Sequence, residues 1–334
     1  MNASNAETDL ADVMSTPLSA LLGEAWRVRC QNHPRTVLFA APGFKYYDNE
    51  FFHNEQERFA SISVTGKTCA LNCKHCGGKL LETMLDCRDP GELAAMGRRL
   101  RENGCEGILV SGGADASGAV PLLPFMDSIA RLKGMGFKVL VHTGLASDEV
   151  LAGLSRAGVD QLMVDIIGSN ETVREVYHLD KTTDDYLDFM RRCRAHGLEL
   201  APHLVLGLHF GKILGELEAL RMITAMRPKR IVIVVLCPKR GTEMEQVAPP
   251  DAADCGRIIA LARTANPTAY LSLGCARPAG NRAALIEQFA LNAGVNAIAF
   301  PCEETIELAK EMGLKARYSN MCCVLDPEPA ECAK

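Results

Sequence analysis

From residue 61 onward the chain alternates between two patterns of apolar positions. Short aliphatic runs recur near 61–65, 107–111, 137–142, 160–166, 200–206, 230–236, 269–273 and 296–300. Between them lie longer stretches with apolar residues at helical spacing, among them 120–134, 147–157, 182–197, 212–226, 251–265, 280–292 and 303–312. Pro249, Pro250 and Asp251 mark a clear helix start. Strands that alternate with helices predict βαβ units and a parallel sheet. Eight such strands predict an α/β fold of the (β/α)8 TIM-barrel type over 61–315, with a doubly wound sheet as the competitor. Residues 1–60 read as an N-terminal extension, helical to about 35 and irregular over 36–60. Residues 316–334 read as a tail carrying a Cys pair and a Pro/Glu-rich end.

A barrel places its chemistry at the C-terminal ends of its strands. Polar and ligating residues collect there. A cysteine run follows the first strand, and Ser111, Gly112 and Gly113 close the second. His142 ends the third strand and Asp165 lies near the end of the fourth. Gly207 and His209 follow the fifth, Cys237 the sixth, Cys275 the seventh, and Pro301 and Cys302 the eighth.

Composition narrows the classes. The 334 residues are 48% hydrophobic, enough for a large core, and no apolar run is long enough to span a membrane. A net charge of −5 without a basic block, and only 5% aromatic residues, argue against nucleic-acid binding. The N-terminus lacks a basic region followed by an apolar stretch, so no signal peptide is expected. Fourteen cysteines without such a signal suit a reducing cytoplasm and metal chemistry better than a disulfide scaffold.

The strongest chemical feature is Cys69, Cys73 and Cys76 in a Cys-x3-Cys-x2-Cys run. Three thiolates on one compact loop can hold three irons of a [4Fe–4S] cube and leave the fourth iron open to a small molecule. Structural zinc would call for a fourth Cys or His with its own paired spacing, and the chain has no second Cys-x2-Cys. Gly112 and Gly113 let backbone approach a ligand closely, though a Gly-Gly pair is also an ordinary βα turn. Asp165 follows an apolar run and needs a partner or ligand. Cys87, Cys105, Cys193, Cys255 and Cys332 read as small apolar residues. Cys237, Cys275, Cys302, Cys322 and Cys323 stand at strand ends or in the tail, and three or four of them could hold a second cluster. Arg277 is a candidate to orient a carboxylate or that cluster.

The cysteine run, with His75 just before its third Cys, resembles the signature of the radical S-adenosylmethionine (SAM) superfamily. The motifs at 62–84, 108–115, 141–145, 207–212, 272–278 and 294–301, and the Cys-Cys near the end, resemble the biotin and lipoyl synthase branch. They are most similar to one component of the two-protein, archaeal-type lipoyl synthase. That resemblance implies a [4Fe–4S] cluster on Cys69, Cys73 and Cys76 whose open iron chelates SAM, and generation of a 5′-deoxyadenosyl radical. It implies SAM contacts from Ser111, Gly112, Gly113, His142, Asp165, Gly207 and His209. It further implies sulfur insertion into an octanoyl chain, with an auxiliary cluster, here placed on Cys275, Cys322 and Cys323, as sulfur source. The partners implied are an octanoylated lipoyl-carrier protein, such as the glycine cleavage H protein or a dehydrogenase lipoyl domain, a second radical SAM subunit, and a ferredoxin or flavodoxin. Nucleic acid and membrane are not expected partners. Two alternatives stay open: a single-cluster radical SAM enzyme acting on a small molecule, and a zinc-binding or scaffold barrel without catalysis.

Overall fold

The structure is a computed structural model and describes residues 10–325. The first strands are β1 (Thr36–Ala40), β2 (Phe59–Ser63), β3 (Leu85–Asp86), β4 (Gly107–Ser111), β5 (Lys138–His142) and β6 (Gln161–Ile166). They continue as β7 (Leu200–Leu206), β8 (Arg230–Val235), β9 (Tyr270–Leu273), β10 (Ala297–Ala299) and β11 (Lys315–Ser319). The helices begin with α1 (Leu10–Ser15), α2 (Leu18–Asn32), α3 (Pro90–Glu102), α4 (Met126–Gly134), α5 (Asp148–Ala157) and α6 (Asn170–Glu175). They end with α7 (Thr183–Ala195), α8 (Glu216–Ala225), α9 (Ala252–Ala265), α10 (Asn281–Asn292) and α11 (Glu303–Glu311).

All described strand pairs are parallel and join one 11-stranded sheet in the order β11-β1-β10-β9-β8-β7-β6-β5-β4-β2-β3. From β4 to β10 neighbours in sequence are neighbours in space, so each helix crosses over to the next strand and the sheet curls in a TIM-like manner. No ladder among the described residues joins β11 to β3, so the curl stays open at that seam. Helix starts follow local chemistry. The Asp251 side chain accepts from Ala253 N at 2.8 Å ahead of α9, and Thr182 and Asp185 form a capping box ahead of α7.

Four elements depart from the sequence reading. Residues 36–40, read as irregular, form β1 between β10 and β11. The tail supplies β11, and a two-residue β3 pairs with β2. Helix α8 starts at Glu216 rather than 212, because Gly215 turns the chain at φ 96°.

The central strands are largely buried on both faces, with different neighbours on each side. Val139 and Val141 pack outward among helix residues such as Ile129 and Leu132. Leu140 between them faces the hollow of the curl, clustered with Phe59, Met163, Ala201, Val232 and Val324. Val324 belongs to the segment after β11, so that segment enters the concave face and packs inside the curl. Ser272 Oγ on β9 donates to Cys323 O at 3.0 Å and ties it there.

Candidate active site

The cysteine loop leaves β2 and is pinned from three sides. Ala70 N donates to Ala114 O at 2.8 Å, beyond β4. Lys74 N donates to Val176 O at 3.0 Å, and His178 Nδ1 lies 3.0 Å from Leu71 O, both past α6. Met244 N, in the loop after β8, donates to Lys74 O at 3.3 Å. The loop itself needs left-handed backbone, supplied by Asn72 (φ 45°), Gly77 (φ 51°) and Gly78 (φ 74°). Cys73 is buried while Cys69 and Cys76 are half-buried.

The ligating atoms of Cys73, His75 and Cys76 lie within 4.8 Å of one another. Cys69 stands nearby, and its charge acts on Cys73. The Cys73 thiol donates to the Cys76 sulfur, and this bond, helped by His75, draws Cys76 down to about 4 against the opposing effect of burial. The same bond, then burial, pushes the Cys73 thiol up. A thiolate on Cys76 is therefore favoured, with Cys73 holding the shared proton. Nδ1 of His75 is buried with no partner, and its ring stands 5.3 Å from that of Tyr177. Two converging sulfurs, a third thiol nearby on the same loop and an unmatched polar nitrogen fit a bound iron–sulfur cluster.

Ser111, Gly112 and Gly113 meet this loop directly. Gly113 N donates to Thr65 Oγ1 at 2.7 Å, and a Cβ at Gly113 would stand 2.0 Å from Thr68 O. Gly112 is less crowded, its Cβ meeting Thr65 and Val120 side-chain atoms at 3.1–3.2 Å. Ser111 Oγ donates to His142 O at 3.1 Å.

On the next strands His142, Asp165 and His203 converge. His203 Nδ1 lies 3.2 Å and His142 Nε2 3.6 Å from Asp165 Oδ1. Tyr177 OH donates to Asp165 Oδ2 at 3.2 Å. Burial opposes the Asp165 charge, but the two imidazoles outweigh it and hold the carboxyl well below its usual range. Burial lowers His203 more than Asp165 raises it, and burial keeps the Tyr177 phenol well above its usual value.

Gly207 and His209 belong to a tighter structural corner. Gly207 has φ 74°, and its N–H donates to Glu216 Oε1 at 2.7 Å. His209 Nδ1 is 3.2 Å from Thr172 Oγ1. Burial raises Glu216 to about 7 against that Gly207 hydrogen bond, and its other oxygen has no partner. The protonated carboxyl thus favours the fold; its contribution is full below about 4.5 and is lost as pH rises through about 7. The whole effect is at most about 3 kcal/mol. The Glu216→Gln chain is expected to lose this part of the pH dependence when unfolding midpoints are compared at pH 5 and pH 8. Parallel profiles for the two chains would refute the assignment.

A second group of thiols forms where β9 meets the segment after β11. Cys322 is the nearest charge acting on Cys275, and Cys323 donates to Cys322. That bond lowers Cys322 and, with burial, raises Cys323 well above the ordinary thiol value. Cys275 keeps exposed surface, yet its surroundings push it up to about 11 by desolvation, with Cys322 the next cause. Lys239 links this region to Cys237, its Nζ 3.7 Å from Cys237 Sγ. Cys302 instead stands at the N-cap of α11, its Sγ 3.1 Å from Thr305 Oγ1. Cys332 lies outside the described residues.

Arg277 does bind a carboxylate, but an internal one. It bonds Glu287 Oε1 at 2.6 and 2.9 Å, and also Gly274 O and Phe300 O. Both members are buried, so the pair clamps the ends of β9 and β10 onto α10. Sequence reasoning passed over Thr65, Asn72 and Met244, which shape the loop. Only Asn72, between two cysteines, carried a local signal, since Asn tolerates left-handed backbone.

A curled parallel sheet with a three-cysteine loop after its first core strand defines the radical SAM fold. The pattern of the Radical SAM superfamily matches residues 63–213, from the end of β2 through β7 and into the loop after it. It is 22% identical over 317 residues to the biotin synthase of Marinobacter nauticus, covering 87% of this chain and 86% of that one. It is 27% identical over 242 residues to the biotin synthase of Neorickettsia sennetsu, covering 68% and 71%. In fold it is similar to methylornithine synthase, with a TM-score of 0.62 at 16% identity over 93% and 94% of the two chains. The FeFe-hydrogenase maturase HydG of Carboxydothermus hydrogenoformans is also similar, with a TM-score of 0.61 at 14% identity over 91% and 74%. No helix among the described residues is long and apolar enough to cross a membrane.

Proposed function

We propose that this radical SAM enzyme inserts sulfur into a protein-bound octanoyl chain, as one component of a two-protein lipoyl synthase. The observation that supports the reading is the second thiol group: Cys323 donates to Cys322 on the inside of the curl, and the charge of Cys322 acts on Cys275 beyond β9. A sulfur-inserting enzyme needs a sulfur source besides its SAM-binding cluster, and a second cluster on these thiols would supply it. Likeness to biotin synthases, which their name links to biotin, favours a second reading, chemistry on a small molecule with one cluster.

Bound at Cys69, Cys73 and Cys76, a [4Fe–4S] cluster supplies the one-electron reduction that cleaves SAM. The chain's own part is to place and shield. Thr65, Ala114, Val176 and Met244 fix the loop from different elements, so its thiols keep one arrangement. Gly112 brings side-chain-free backbone next to this loop, within reach of Thr65. Val324, Met321 and Leu325 fill the lower hollow and exclude water from beneath the site. The octanoylated carrier, a second radical SAM subunit and a ferredoxin- or flavodoxin-type donor complete the reading, in a reducing compartment such as the cytoplasm.

The test uses anaerobically reconstituted protein with its partner subunit and an octanoylated carrier. About eight irons per chain are expected, against about four for a single cube. The Cys322→Ala, Cys323→Ala chain should lose the second cluster and sulfur insertion but still form 5′-deoxyadenosine. Unchanged sulfur insertion by that chain, or about four irons in the parent, would reject the proposal.

A further inference from the structure

His142, Asp165 and His203 stand together at the C-terminal ends of β5, β6 and β7. Their alignment follows from sheet register. Asp165 pairs directly with His203, and His142 pairs with Met163, two residues before Asp165. Successive side chains alternate between faces, so Met163 and Asp165 share one face and all three ligating residues project from it. Met163 faces the hollow, which makes this the concave face. The three ligating atoms lie within 4.8 Å of one another, and all three side chains remain partly accessible.

We infer that His142, Asp165 and His203 bind a divalent first-row transition-metal ion on the concave face of the sheet, separate from both thiol groups. Bonds of about 2.1 Å place neighbouring ligand atoms about 3.0 Å apart in octahedral and about 3.4 Å apart in tetrahedral geometry. The spacings of 3.2 and 3.6 Å to Asp165 Oδ1 need a shift of only a few tenths of an ångström to reach that range. Two imidazoles and one carboxylate on one side of an ion leave further positions open, a set suited to iron(II). Tyr177 supports the set by donating to Asp165 Oδ2, leaving Oδ1 for the ion. The ligands sit on paired strands rather than on a mobile loop, so the site is built before the ion arrives. Open positions toward the hollow would take a substrate carboxylate or thiolate. This assignment replaces direct SAM contact by His142 and Asp165, and it holds whether or not the substrate is an octanoyl chain.

The experiment uses the full chain with its clusters reconstituted anaerobically and left oxidised, which makes them silent in electron paramagnetic resonance. Co2+ is the probe, counted by equilibrium dialysis and observed by resonance. One equivalent should bind with nitrogen coupling in its spectrum. His142→Ala and His203→Ala should each weaken binding well beyond tenfold, and Tyr177→Phe by about tenfold. The Cys275→Ser, Cys322→Ser, Cys323→Ser chain should bind Co2+ like the parent, which separates this site from the sulfur-source reading. Cluster absorbance confirms folding of each variant, and if an alanine variant fails to take up its cluster, His142→Gln, closer in size and still polar, is measured instead. Absence of stoichiometric Co2+, binding that survives both histidine variants, or binding lost with the three cysteines overturns the inference.

Discussion

Replacing Cys69, Cys73 and Cys76 together by Ala is expected to abolish SAM cleavage while leaving the fold in place. The change removes three sulfurs from a loop that backbone hydrogen bonds at Ala70, Lys74 and Met244 also hold. Only Cys73 is buried, and loss of one small side chain there is a modest cost. Among the described residues no other cysteine belongs to this loop. Cys105, Cys193 and Cys255 are buried in the main hydrophobic core, where burial raises each thiol. About four irons should be lost per chain, with any cluster on the second thiol group retained. Iron and sulfide analysis, circular dichroism and assay of 5′-deoxyadenosine check the three parts. Formation of 5′-deoxyadenosine by the triple variant would remove the basis of the assigned chemistry.

Gly113→Ala is expected to cost most of the cluster occupancy although it adds a single methyl group. Its Cβ would lie 2.0 Å from Thr68 O and 2.6 Å from Cys69 Cα, both backbone atoms. Neither can swing aside, so the cysteine loop must move away from β4. That movement also strains the Gly113 N bond to Thr65 Oγ1 and the Ala70 N bond to Ala114 O. Overpacking of this kind costs about 1–3 kcal/mol. Gly112→Ala meets mainly side-chain ends at 3.1–3.2 Å and should be much milder. Gly23→Ala, inside α2 with nothing within 4 Å, should stabilise slightly. Thermal midpoints and iron content of the three variants give the ranking, and equal iron in the Gly113 and Gly23 variants would contradict it.

Much of the architecture was legible because both signals are local. Parallel strands buried on both faces read as aliphatic runs, as at Ile231–Val235 and Val139–Val141, and helices announced themselves by caps such as Asp251. Strand β1 escaped, although Thr36-Val-Leu-Phe-Ala is as apolar as the others, because no helix pattern follows it before β2. Strand β11 escaped because Lys-Ala-Arg-Tyr-Ser is polar, as befits the edge of the sheet.

The cysteine spacing alone set three candidate ligands on one short loop, since ligand type and separation along such a loop are properties of the chain itself. The rim placement of Ser111, His142 and Asp165 followed from strand ends by the same local logic. What only the tertiary structure decided are relations between distant segments. Arg277 is neutralised by Glu287 rather than held for a ligand, and Glu216 is drawn inward to Gly207. Cys323 is carried from the tail to the inside of the curl, against β9. His142, Asp165 and His203 meet because register sets them on one face of three adjacent strands. Side-chain periodicity names a face of each strand, but the partner across the sheet depends on how the whole sheet aligns, and no local pattern encodes that.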